Sequence, residues 1–123
     1  MILVDTSVWI DFFRRRPSAK TLADYLLEDQ VTLHPWVFGE LMVGDLGPQR
    51  LQILQSLHSL PELPVYAVTE LSDFVEQERL YGSGLSLVDL QLLYVSILHR
   101  FPLWTHDTGL SRFAKHFDRS FKG

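Results

Sequence analysis

The sequence predicts an α/β protein: a three-layer α/β/α sandwich around a mostly parallel central sheet. Three observations carry that reading. Short apolar runs alternate along the chain with longer segments of helical periodicity. The runs lack the polar alternation of a strand with one wet face and suit strands buried on both faces. Pro35 and Pro48 stand where helices are expected to begin, a first-turn placement that proline tolerates.

Taken in order, Ile2–Val4 reads as the first strand. Thr6–Phe13 follows as a helix, with Val8, Trp9, Phe12 and Phe13 on its apolar stripe and Arg14 to Pro17 breaking it. Ser18 is expected to cap a second helix bearing Leu22, Tyr25 and Leu26. Residues 31–33 form the second strand. Helices are expected from Pro35 to about Gly44 and from Pro48 to about Leu60. Residues 63–68 read as a third strand entered at Pro64, then a helix over 69–80 and a glycine loop over 81–84. Leu87–His99 is a strongly apolar helix, 102–105 a fourth strand and 108–117 a last helix. The tail adds a short edge strand.

With 123 residues and no linker or repeat, the chain reads as a single domain over 1–123. No cysteine is present, which removes disulfides and thiolate metal sites and agrees with a cytoplasmic location. The apolar start breaks at Asp5 without a basic lead-in, so no signal peptide is expected. No apolar stretch reaches the roughly 20 residues of a membrane helix. The formal net charge is −4, which argues against a simple electrostatic nucleic-acid binder. Neither a Walker motif nor a GxGxxG fingerprint occurs.

The chemistry lies in four carboxylates. Asp5 follows the first strand and Asp107 the fourth, so parallel strands bring both to one rim, where open α/β sheets build their sites. Glu40 has Trp36, Val37, Val43 and Gly44 as its helical neighbours; Asp89 has Leu85, Ser86, Leu92 and Leu93. Neither set contains a cation, and a carboxylate on an apolar face is costly unless a distant base or a metal offsets it. A plainer reading stands beside this one. Asp5 and Asp107 fit helix N-caps, and Ser86 with Asp89 fits a capping box. Glu40 lies too deep in its helix to cap, so its plain reading is a solvated glutamate. As a set, four acids near one rim repel one another, and oxygen ligands of this kind suit Mg2+ or Mn2+ acting on a phosphodiester.

The motifs MILVDTSVWID, GLSLVDLQLL and LWTHDTGL, with Glu40 in an apolar helix between them, occur in an order that resembles the PIN domains. Within that family the chain is similar to the VapC toxins of toxin–antitoxin pairs. The resemblance implies a Mg2+-dependent ribonuclease, with Mn2+ as substitute, whose acids are Asp5, Glu40, Asp89 and Asp107. It implies that Thr6, Ser7 and Thr105 orient ligands or water through their hydroxyls, helix capping being their plain alternative. It also implies an RNA substrate (possibly tRNA), a homodimer and a small VapB-like antitoxin. The alternative is a catalytically silent RNA- or protein-binding module on the same fold. The helix after Asp89 departs from the family in carrying the bulky run Leu92 to Val95.

Other readings are weaker. A haloacid-dehalogenase-type phosphatase needs a second aspartate where Ser7 stands, and a receiver domain needs a late strand-end lysine. With the four acids set aside, the remaining acids and bases are equal in number, so the rest of the surface is neutral toward RNA. Arg14 to Arg16, Arg112, Lys115, Arg119 and Lys122 are candidate backbone contacts, although ordinary solvated surface is the plainer role. The five histidines have no metal-type spacing and are expected on the surface or in loops. His106 lies beside Asp107, and contact with a substrate is the weaker alternative to its surface role. Trp9 and Trp36 are read chiefly as core.

Overall fold

Ile2, Leu3 and Val4 form β1, with Leu3 and Val4 fully buried. Successive strand side chains point to opposite faces, so burial of both residues means that both faces of the sheet are covered. The computed structural model describes residues 1–123. After β1 come α1 (Thr6–Phe13), α2 (Ala19–Leu27), β2 (Val31–Thr32), α3 (Pro35–Val43) and α4 (Arg50–His58). Then follow α5 (Val68–Glu78), α6 (Leu87–His99), β3 (Leu103–Trp104) and α7 (Thr108–His116).

The sheet order is β2-β1-β3, all parallel, with Ile2 opposite Val31 and Val4 opposite Trp104. Single parallel bridges extend it at both edges, Glu62 beside Leu33 and Ser120 beside Leu103. The chain therefore steps one way from β1 through β2 to Glu62, then crosses back over β1 to β3 and Ser120. Right-handed crossovers place helices of the two directions on opposite faces. The packing agrees: α1 touches α2 and α3, whereas α6 touches α5 and α7. The three-layer α/β/α architecture follows. The reversal leaves a topological switch point between the carboxyl ends of β1 and β3.

The strand expected over 63–68 does not form. The Leu63 N–H donates to the Leu33 carbonyl at 3.1 Å, but Pro64 has no N–H to continue the ladder. Two residues further on, a side chain takes over. Gln91 accepts from the Tyr66 N–H at 2.8 Å and donates to the Tyr66 carbonyl at 3.0 Å. Ser18 is also reassigned. Its backbone is already helical and its hydroxyl caps nothing. The expected tail strand is reduced to the Ser120 bridge.

One apolar cluster fills both interfaces, taking in Leu3 and Val4 of the sheet, Val8, Trp9 and Leu22 of α1 and α2, and Leu92, Leu93 and Leu110 of α6 and α7. His34 lies within it, fully buried, which corrects the expectation of a surface or loop histidine. It is the N-cap of α3, with Nδ1 accepting from the Trp36 N–H at 3.0 Å. Its Nε2 has no hydrogen-bond partner. Burial lowers the His34 pKa to about 4, against weaker opposing effects of the Pro64 carbonyl and the Gln91 side chain. Trp9 is 2% exposed and belongs to the core, as expected, whereas Trp36 is half-buried and lies outside the core cluster.

Candidate active site

Asp5 is the hub of the rim. It ends β1, is 6% exposed, and caps α1 by accepting from the Thr6 N–H at 2.8 Å through Oδ1. Its Oδ2 accepts from the Ser7 hydroxyl at 2.9 Å and from the Thr105 hydroxyl at 2.7 Å. A buried carboxylate at a strand end is thus held by three donors, two of them within two residues of it. This is why aspartate is followed by two hydroxyl residues in VDTS.

Thr6 turns the other way and donates to Glu40 Oε1 at 2.5 Å, joining α1 to α3. Thr105 leaves β3 and accepts from the Asp107 N–H at 3.0 Å. Asp107 then caps α7, its Oδ2 accepting from the Leu110 N–H at 2.9 Å. One hydrogen-bonded chain therefore runs Glu40–Thr6–Asp5–Thr105–Asp107 across the switch point.

Asp89 stands apart from that chain. It closes the capping box of α6, accepting from the Ser86 N–H while its own N–H donates to Ser86 Oγ, both at 3.1 Å. Burial pushes its carboxyl above the usual aspartate range, the hydrogen bonds with Ser86 oppose this, and the charges of Asp5 and Asp107 add to it. The last effect places Asp5 and Asp107 within electrostatic reach of Asp89.

The capping readings of Asp5, Asp89 and Asp107 are all realised, and they coexist with a place on the rim. Capping occupies Oδ2 of Asp89 and of Asp107, and Thr6 occupies Oε1 of Glu40. The second oxygen of each of these three acids carries no hydrogen bond. No lysine or arginine pairs with any of the four, and the sole acid–base contact in the molecule is between His106 and Asp11. A distant basic partner is thereby removed as the explanation of Glu40 and Asp89, and Glu40 is exposed, as its plain reading of a solvated glutamate has it. No three of these acids converge closely enough to form a finished metal cage. An all-oxygen, partly open donor set of this kind fits a hard divalent cation that keeps several of its waters.

Two residues near the site escaped the sequence reading of roles. Asp11 lies one helical turn beyond Ser7 on α1, and its Oδ2 meets His106 Nδ1 at 2.6 Å. The turn-long spacing from Ser7 was the available signal. Gln91 is the other, a fully buried amide in an otherwise apolar helix.

A parallel sheet with helices on both faces and carboxylates at its switch point defines a PIN-type domain, and the PIN domain family matches over residues 2–116. The chain belongs to the PIN-domain family, among its VapC proteins. It is 40% identical over 111 residues to Ribonuclease VapC32 of Mycobacterium tuberculosis, in two strains, covering 89% of this chain and 87% of that one. A solved toxin–antitoxin complex from Klebsiella pneumoniae matches with a TM-score of 0.66 at 28% identity, over 88% of each chain. The Pyrobaculum aerophilum protein PAE2754 shares the fold, with a TM-score of 0.63 at 16% identity, over 90% of this chain and 82% of that one. No helix is long and apolar enough to cross a membrane.

Proposed function

We propose that this chain is a divalent-metal-dependent endoribonuclease and the toxin of a VapBC-type toxin–antitoxin pair. The observation that carries the reading is the set of four carboxylates on one rim with no basic partner. The similarity to Ribonuclease VapC32 supports RNA as the substrate.

Asp5, Asp89, Asp107 and Glu40 would hold the ion, Mg2+ or Mn2+. When bound, it supplies positive charge against the phosphodiester and activates water for attack at phosphorus. The remaining work belongs to the chain. Thr105 and Ser7 fix the Asp5 carboxylate so that no reorganisation is needed when charge arrives. Thr6 fixes Glu40 and leaves its Oε2 free. The capping bonds fix Asp89 and Asp107 through Oδ2 and leave the other oxygen of each without a hydrogen bond. Water adds to phosphorus and the bond to O3′ breaks, leaving a 3′-hydroxyl and a 5′-phosphate.

The proposed partner is a small VapB-like antitoxin, supported by the Klebsiella complex. An apolar groove of about 920 Å³ between α1, α2 and α4, lined by Trp9, Phe12, Phe13, Leu26 and Ile53, offers it a surface. The proposed working form is a cytoplasmic homodimer.

The test is incubation of the purified, partner-free chain with total cellular RNA, in Mg2+, Mn2+ or chelator, beside Asp5→Asn and Asp89→Asn. Metal-dependent cuts at few sites, with 5′-phosphate ends and absent from both variants, are expected. Cyclic-phosphate ends, or cuts that survive both substitutions, would sink the reading. Metal and RNA binding without cutting would favour the catalytically silent binding module.

A further inference from the structure

His106 is held on three sides beside the acid rim, and nothing in the proposed metal chemistry uses it. Its N–H donates to Ser7 Oγ at 2.9 Å, and the same Oγ donates to Asp5. Its ring lies edge-on to Trp104, with centroids 6.2 Å apart and planes at 80°. Its Nδ1 lies 2.6 Å from Asp11 Oδ2, while the two side chains remain 32% and 33% exposed. The next residue is Asp107. A backbone tether, an aromatic edge and a carboxylate thus fix one ring beside the acids and leave its Nε2 edge without a protein partner.

The carboxylate decides the tautomer. An ionised Asp11 only accepts, so Nδ1 carries the hydrogen of that bond. Nε2 is then the ring nitrogen left free to bond a substrate. Near a scissile phosphate of RNA, every nucleotide offers, regardless of its base, a ribose 2′-hydroxyl that both donates and accepts and that DNA lacks. We infer that His106 contacts the substrate through a hydrogen bond between Nε2 and a ribose 2′-hydroxyl beside the cut, with Asp11 as the positioning residue that turns Nε2 outward. The inference rests on the ribonuclease reading of the same site and adds to it a residue that separates RNA from DNA.

The experiment uses the intact chain and an RNA oligonucleotide containing one mapped cut site, with single 2′-deoxy substitutions placed at each nucleotide around it. In the wild type, one substitution next to the cut lowers kcat/KM by about three- to tenfold, the worth of one hydrogen bond. His106→Ala lowers kcat/KM on the all-ribose oligonucleotide by a similar factor and is indifferent to that 2′-deoxy position. His106→Gln, whose amide also hydrogen-bonds a hydroxyl, restores part of the discrimination. Asp11→Asn weakens the discrimination without removing it. All-ribose cleavage by His106→Ala at the wild-type rate overturns the inference, as does a reduced rate with the 2′-deoxy penalty intact. An RNA that the wild type fails to cut under any metal condition overturns the ribonuclease reading itself and this inference with it.

Discussion

The Thr105 hydroxyl donates to the Asp5 carboxylate at 2.7 Å from a position 100 residues away in sequence. That bond joins the ends of β1 and β3 at the switch point, beside the backbone bond from the Asp5 N–H to the Trp104 carbonyl at 2.9 Å, and the same hydroxyl accepts the Asp107 N–H. Thr105 thus sets the spacing between two of the four acids without being one of them.

Thr105→Val keeps the shape and removes the hydroxyl. Asp5 loses a donor and the Asp107 N–H its acceptor, at a cost of about 1–3 kcal/mol. Urea unfolding of the metal-free protein should show that loss. RNA cleavage should fall with it, because Asp5 is no longer fixed. Unchanged stability and unchanged cleavage would remove Thr105 from the site's framework.

Asp89 has a raised pKa, so the folded state holds its proton more tightly than the unfolded state does. Stability of the metal-free protein therefore falls as pH rises through the raised pKa, and the cost persists at neutral pH. Asp89→Asn, which keeps a cap acceptor, should melt above the wild type at pH 7 without metal, and the gap should close in acid. Added Mg2+ should raise the wild-type melting temperature more than that of the variant. Calorimetry at two pH values, with and without Mg2+, reads all three outcomes.

His34 carries the opposite sign. Its pKa falls from 6.5 to about 4 on folding, so between those values the unfolded state takes up a proton that the native state refuses. Stability is full above about 6.5 and is lost as pH falls toward 4, by about 3 kcal/mol in all. His34→Asn retains an N-cap acceptor and cannot titrate. Its stability should be flatter than the wild type's across that window, and parallel curves would contradict the assignment.

Gln91→Leu removes both bonds to the Tyr66 backbone. Two part-buried backbone groups lose their partners, at a cost of about 2 kcal/mol or more. Amide hydrogen exchange at Tyr66 should quicken well beyond the change at Leu3, whose N–H bonds to the Pro102 carbonyl within the sheet.

Much of this protein is legible in the chain itself. Leu87–His99 is read from the sequence with the bounds the structure has, because an apolar helix with a capping box states both its period and its start. Asp5 and Asp107 stand out as acids at strand ends, Glu40 and Asp89 because no base is near them in sequence, and no lysine or arginine pairs with any of the four in space. The strand expected over 63–68 is apolar enough to mislead. What decides it is the ladder beyond Leu63, where Pro64 gives no donor and Gln91, 25 residues away, claims Tyr66. His34 looks like any loop histidine until α3 and the core close over it. The His106–Asp11 pair joins residues 95 apart.

The sequence by itself determined the layered α/β architecture and singled out four candidate acids, since periodicity, caps and missing counter-charges are local properties of neighbouring residues. The tertiary structure decided which oxygens are tied and which are free, where the sheet stops, and which histidine is buried and which is held at the rim. Those depend on hydrogen-bond partners and burial contributed by distant segments, which no local spacing encodes.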